Sequence, residues 1–266
     1  MRRPPIFLIL IAVVATFSLL SLGVAGPTRM TESAAFSARP HAAHPPLLFD
    51  DEFNSSGLDT TRWSKGWLAP GITPPVNSLE NDCYDPSQVT VAHGELKLSV
   101  IAKPETCAGV TRPFAAGLVN TETTFRFTYG YAEARIWLPA GSGLWPAWWT
   151  DGQSWPTDGE IDVMEVYDPS RNVSYHYRYG GCGNSCAPGG QTRIARSTSG
   201  WHTYALNWEP GAITWYYDGK RVWSFTGPAV VSSPQYLVLN LATNSTTPRV
   251  PAVMRVDYVR VYASKP

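Results

Sequence analysis

The chain has 266 residues, 44% of them hydrophobic and only 16% charged, with 21 basic and 21 acidic side chains. That size suits one globular domain with a substantial core. The balanced charge and the absence of a basic run argue against nucleic acid as a partner. Eleven tryptophans and thirteen tyrosines, with many glycines and prolines, suggest an all-β protein whose aromatic surfaces suit neutral, polar ligands.

Residues 1–26 carry Arg2 and Arg3 and then an apolar run from Ile6 to about Ala25. The pattern is that of an export signal cleaved after Ala25 or Gly26. The run is also near the length that crosses a bilayer, so an uncleaved N-terminal anchor is the alternative. No cysteine follows it, which argues against a lipoprotein anchor. Either reading puts the bulk of the chain outside the cytoplasm, so a secreted or membrane-anchored protein is expected. Residues 27–45, rich in Ala, Pro, Ser and Thr, read as a disordered linker. A single domain is expected over 46–264, with structure beginning at Leu47.

Period-two alternation then recurs along the chain. Leu96, Leu98 and Val100 alternate with Lys97 and Ser99, and Phe125, Phe127 and Tyr129 alternate with Arg126 and Thr128. Tyr204, Leu206 and Trp208 form another stripe. Ile213, Trp215 and Tyr217 follow, ending at an Asp218-Gly219 hairpin turn. Leu237, Leu239 and Leu241 come next, and residues 256–262 close the series. Short strands separated by Gly, Pro and Asn turns predict a two-sheet antiparallel sandwich, and its concave face would offer a cleft. The four cysteines fit an oxidising compartment. Cys182 and Cys186 are spaced to staple a loop, and Cys83 with Cys107 would tie two early segments. Cys-x3-Cys lacks the second pair or histidine that a metal site needs.

Two stretches carry the chemistry. In Trp145-Pro146-Ala147-Trp148-Trp149, read as a strand, Trp145 and Trp149 share a face and Trp148 opposes them as a core residue. Exposed indoles, Trp155 included, make platforms for the apolar faces of sugar rings. In Glu160-Ile161-Asp162-Val163-Met164-Glu165 three carboxylates interrupt an apolar strand, which is costly unless they are paired or used. Glu160 and Asp162 share a face, whereas Glu165 has the opposite parity. One extra residue at Val163 or Met164, a β-bulge, returns Glu165 to that face. Two glutamates flanking one bond are what glycoside hydrolysis uses. The competing reading is a strand end with Glu160 or Glu165 in solvent.

These blocks, taken in order, resemble glycoside hydrolase family 16, the β-jelly-roll enzymes that cleave β-1,3 and β-1,4 linkages in polysaccharides. Asp51-Glu52-Phe53 with Trp63, Glu80 with Tyr84, residues 93–98, 129–135 and 144–149 carry the resemblance. Residues 159–165, 201–204, 216–219 and 256–262 complete it. The longer, bulged form of the acid motif is similar to that of laminarinase-like members. The resemblance implies a jelly-roll of two curved antiparallel sheets and a retaining mechanism with no cofactor. Glu160 would be nucleophile, Glu165 general acid and then base, and Asp162 the residue between them that hydrogen-bonds Glu160. The two glutamate carboxyls would lie roughly 5–5.5 Å apart. It also implies substrate contacts from Glu80, Trp145, Trp149, Trp155 and His176, and a structural calcium ion held by Glu52, the Gly94 carbonyl and Asp257.

The expected activity is that of a monomeric, endo-acting β-glycan hydrolase on β-1,3- or mixed-linkage β-1,3/1,4-glucan. Its partner is a polysaccharide, with no nucleic acid and no membrane except through the N-terminal segment. Two departures blur the substrate. Leu118 stands where many β-1,3-glucanases have an arginine, and the Cys182–Cys186 loop has no family-wide counterpart. Another bacterial exopolysaccharide or a β-galactan is therefore the alternative substrate. A transglycosylase using the same acids, or a non-catalytic carbohydrate-binding protein, are the alternative activities.

Overall fold

A computed structural model describes residues 45–167, 172–180, 188–192, 200–245 and 247–266. The expected export segment, nearly all of the expected linker and the Cys182–Cys186 loop lie outside these residues. Sixteen strands are described: β1 Leu47–Asp51, β2 Ser64–Lys65, β3 Asp82–Tyr84, β4 Val89–Val91, β5 Leu96–Cys107, β6 Val110–Asn120, β7 Gly130–Trp137 and β8 Leu144–Gly152. They continue as β9 Glu160–Glu165, β10 Val173–Arg178, β11 Gly189–Thr192, β12 Trp201–Glu209, β13 Ala212–Tyr217, β14 Lys220–Thr226, β15 Gln235–Thr243 and β16 Ala252–Tyr262. The helical content among the described residues is one 3-10 turn, Pro86–Gln88.

The hydrogen-bonded order runs β11-β10-β9-β8-β15-β6-β5-β16-β7-β12-β13-β14, antiparallel throughout. Of the flanking strands, β3 pairs with β6 in parallel. This is the jelly-roll sandwich that the sequence predicts. The order contains two layers because β6 changes partner along its length. Its first part, through Ala116, pairs with β5, and its last part, from Gly117, pairs with β15. The pivot needs glycine, since a Cβ on Gly117 would lie 2.7 Å from the Gln88 carbonyl oxygen and 3.2 Å from the Leu98 Cα.

Between the layers lies a continuous apolar core that includes Leu96, Leu98, Ile136, Trp148, Met164, Leu206, Trp208 and Trp215, all completely buried. The Leu96–Val100 stripe sits in β5, and the Tyr204–Trp208 stripe in β12. Leu237, Leu239 and Leu241 lie in β15, whose nine residues are buried on both faces, as expected of a central strand. One stripe is not a strand. Phe125 to Tyr129 form a turn with a single bridge, Phe127 to Gln235, and Tyr129 has a positive φ of 64°. Phe125 donates its backbone N–H to Thr121, and the rings pack at one end of the sandwich against Phe49 and Trp208. Alternating aromatics there reflect core contact without a ladder. Cys83 and Cys107 form a disulfide, joining β3 to the end of β5.

Candidate active site

The hexapeptide is β9, and its parity problem is resolved by a bulge. Against β8, Ala147 faces Glu165 and Trp148 faces Met164, but Trp149 faces Asp162. Against β10, Ser174 faces Glu165 and His176 faces Asp162. The extra residue therefore lies at Val163–Met164, and Val163 and Met164 are both buried. Glu160, Asp162 and Glu165 consequently line one open cleft of about 370 Å³. From β8, Trp145, Ala147, Trp149 and Asp151 form the next row of the same wall. The reading of Glu160 or Glu165 as a solvated strand end does not hold, because each carboxylate is engaged by named donors.

Glu160 accepts hydrogen bonds from Trp155 Nε1 at 2.6 Å and from Arg178. Arg178 Nη1 also reaches Asp162 Oδ2 at 2.5 Å. Glu165 accepts from Trp145 Nε1 at 3.1 Å on one oxygen, and His176 Nδ1 lies 2.9 Å from the other. Burial pushes the Asp162 carboxyl up to about 7, helped by the charge of Glu165 and opposed by Arg178 and His176. Burial, and then the Asp162 charge, also raise Glu160, so the two titrate as a pair that keeps a proton into the neutral range. Burial alone would depress His176, but its bond to Glu165 and the charges of Asp162 and Glu165 outweigh it, and its pKa is raised.

Trp155, expected as a sugar platform, is half-exposed at the cleft. Trp145 is partly buried there, with its ring 5.6 Å from Tyr167. Trp149 is nearly buried and forms the cleft floor, packed 5.5 Å from Trp67, so it is not the open platform its stripe suggested. Trp148 is in the core, as its parity predicted. His176 does not line the cleft and adjoins it through Glu165. Glu80 lines the wall, but its carboxylate is already occupied. It accepts from Val76 N at 2.9 Å, Tyr84 Oη at 2.9 Å and Asn77 Nδ2 at 3.2 Å. Tyr84 accepts from Asn240 Nδ2 at 3.1 Å, and Asn240 Oδ1 accepts from Trp149 Nε1 at 2.9 Å. Glu80 thus pins the 76–80 loop to the cleft floor. Leu118 is buried.

Arg178 and Asp151 were missed by sequence reasoning. Parity offered a signal for Asp151, two residues after Trp149, whereas the role of Arg178 shows only in the register that sets Glu160 opposite it.

Among the described residues, Asp162, Glu165 and His176 bring their donor atoms within 4.8 Å of one another, a grouping of the kind that holds a metal ion. The calcium ligands expected elsewhere are already paired. Glu52 takes Arg260 at 2.7 and 2.9 Å, and Asp257 takes Arg135 at 2.6 Å. A cation at this donor set would compete with Arg260 for both Glu52 oxygens and with Arg135 for Asp257 Oδ2.

Fold and site together define a β-jelly-roll whose open cleft is lined by acids and indoles. The chain belongs to glycosyl hydrolase family 16, whose model matches residues 82–258. It is 30% identical to glucan endo-1,3-beta-glucosidase A1 of Niallia circulans, over 81% of this chain and 37% of that protein. It is also 30% identical to the endo-1,3-1,4-beta-glycanase ExsH of Rhizobium meliloti, over 81% of this chain and 51% of that one. The chain thus spans about half or less of the length of these relatives. The catalytic domain of an endo-1,3-beta-glucanase (laminarinase) from Thermotoga petrophila superposes with a TM-score of 0.75 at 25% identity, covering 84% of this chain and 99% of that one.

Proposed function

We propose that this protein is an endo-acting, retaining β-glycan hydrolase acting on β-1,3- or mixed-linkage β-1,3/1,4-glucan. The bulge at Val163–Met164 carries the reading, because it turns three acids of mixed parity into one row facing the cleft. Glu165, protonated, donates to the glycosidic oxygen while the Glu160 carboxylate attacks the anomeric carbon. The C–O bond to the leaving sugar breaks and a glycosyl ester on Glu160 forms. Glu165 then takes a proton from water as its oxygen attacks the same carbon, releasing the sugar and restoring Glu160.

The surroundings support Glu160 as the anionic nucleophile. Both Glu160 oxygens accept bonds, one from Arg178 and one from Trp155, which favours its anion. The proton that the pair retains is then assigned to Asp162, the neighbour that shares Arg178 with Glu160. Trp145 and His176 hold the Glu165 carboxyl at both oxygens.

The test is reducing-end release from laminarin and lichenan, beside xyloglucan, agarose and galactan. We expect turnover on the first two, and Glu160→Gln to lower it at least about 1000-fold with an unchanged melting temperature. Near wild-type turnover in that variant would end the assignment. A second substrate reading has its own support. The chain is 31% identical, over 81% of its length, to a keratan-sulfate endo-1,4-beta-galactosidase of Sphingobacterium multivorum. Release from galactan but from neither glucan would establish it.

Export, with cleavage near Ala25, belongs to the same proposal and is read from the N-terminal sequence of the mature protein. A calcium ion on Glu52, Gly94 and Asp257 would first have to displace Arg260 and Arg135.

A further inference from the structure

One cleft carboxylate has no part in the mechanism above. Asp151 lies on β8 directly across from Glu160 on β9, in the row of β8 residues that lines the cleft. The residue is 4% exposed. One oxygen, Oδ2, accepts from the Tyr236 hydroxyl at 2.9 Å. The other, Oδ1, is buried with no hydrogen-bond partner. A carboxylate oxygen in that condition costs stability, and a leucine or threonine would fill the place without the cost. Burial raises the group to about 7, and the Asp162 and Asp158 charges add to this, so both protonation states are accessible near neutrality.

We propose that Asp151 is a substrate-binding residue that takes a hydroxyl of the sugar unit joined to Glu160, and that it selects uncharged sugars at that position. The inference rests on the hydrolase reading above. Asp151 is the cross-strand neighbour of the nucleophile, so a ring held at Glu160 brings its hydroxyls to that part of the wall. As an anion Asp151 accepts from the hydroxyl; protonated, it donates to it. A sulfate or carboxylate on the same sugar would meet Asp151, Glu160 and Asp162 together, with Arg178 already shared between the last two. Like charges brought together in a desolvated site repel.

The obvious alternative is that Asp151 only anchors Tyr236. Four proteins separate the two: wild type, Asp151→Asn, Asp151→Leu and Tyr236→Phe. Each is assayed for melting temperature and for kcat/KM on lichenan, laminarin and partially carboxymethylated laminarin. Asp151→Leu should lose about 10- to 100-fold in kcat/KM on the neutral glucans while Tyr236→Phe loses less than about threefold. Asp151→Asn keeps an acceptor for Tyr236, so it guards against a folding failure. It should raise the ratio of carboxymethylated to unmodified activity by about tenfold. Asp151 variants within twofold of wild type on every substrate overturn the proposal. So does a Tyr236→Phe protein that matches Asp151→Leu in both melting and kinetics. Wild-type inactivity on both neutral glucans would instead bring down the glucan-hydrolase reading, and this one with it.

Discussion

At the scale of single residues, Arg178 is the pivot of the site. It bonds both Glu160 and Asp162 from the neighbouring strand, and its own guanidinium is largely buried. Removing it leaves two desolvated carboxylates without their cation, a loss of the kind that costs about 3–5 kcal/mol. We expect Arg178→Ala to melt well below wild type and to lose activity, with Arg178→Lys recovering more fold than turnover because lysine lacks the planar fork. A melt and a kcat measured on the same preparations check this. His176 acts one step away, through Glu165. His176→Ala should lower kcat by about 10- to 100-fold with little change in KM, since it holds the acid and does not line the cleft. The three acids were legible in the sequence because charge in an apolar strand is conspicuous. Arg178 was not, because an arginine at a strand end reads as a solvated terminus until the register shows Glu160 opposite it. Glu80 was read as a sugar contact, yet its bonds to Val76, Asn77 and Tyr84 are local loop geometry that alternation does not encode.

At the scale of elements, β3 shows what a short strand needs in order to stay in place. It is three residues long and pairs with β6 in parallel, so it brings little ladder of its own. Cys83 ties it to Cys107 across 24 positions, and loop closure of that size is worth about 3 kcal/mol. The Glu80–Tyr84–Asn240–Trp149 chain hangs from the same strand, so the cleft wall depends on it. We expect Cys83→Ala/Cys107→Ala to lower the denaturation free energy by about that amount and to raise KM more than it lowers kcat; equilibrium unfolding with parallel kinetics gives both numbers. The pair was named in advance as a tie between two early segments, with no local signal that required it, whereas parity with the need to use buried charge led to the β9 bulge. Alternation failed at Phe125–Tyr129, where a ladder partner is missing and rings meet the core from a turn.

At the scale of the whole molecule, several buried acids hold protons that an unfolded chain would have released. Glu80 is pushed up to about 8, Asp151 and Asp162 to about 7 and Asp82 to about 6, in each case chiefly by burial. Between about pH 4 and 8 the folded state therefore binds more protons than the unfolded state, and stability falls as pH rises through that window. We expect the melting temperature to decline steadily from pH 5 to pH 8, and Glu80→Gln to flatten the decline. A melting temperature that rises over this range would contradict the assignment of these groups. The layered architecture was readable from strand periodicity and turn residues, but the strand order was not, because pairing between distant segments leaves no local mark.

The change of partner along β6 has a consequence for how this protein comes apart. Backbone hydrogen bonds run without a break from β11 on the cleft side to β14 on the far side, passing through β5 and β6. The two faces of the sandwich are one ribbon folded on itself at Gly117, and neither face can separate from the other by sliding along a bare apolar seam. Loss of the cleft and loss of the back wall should then be a single cooperative event, recorded by one transition whichever side carries the probe.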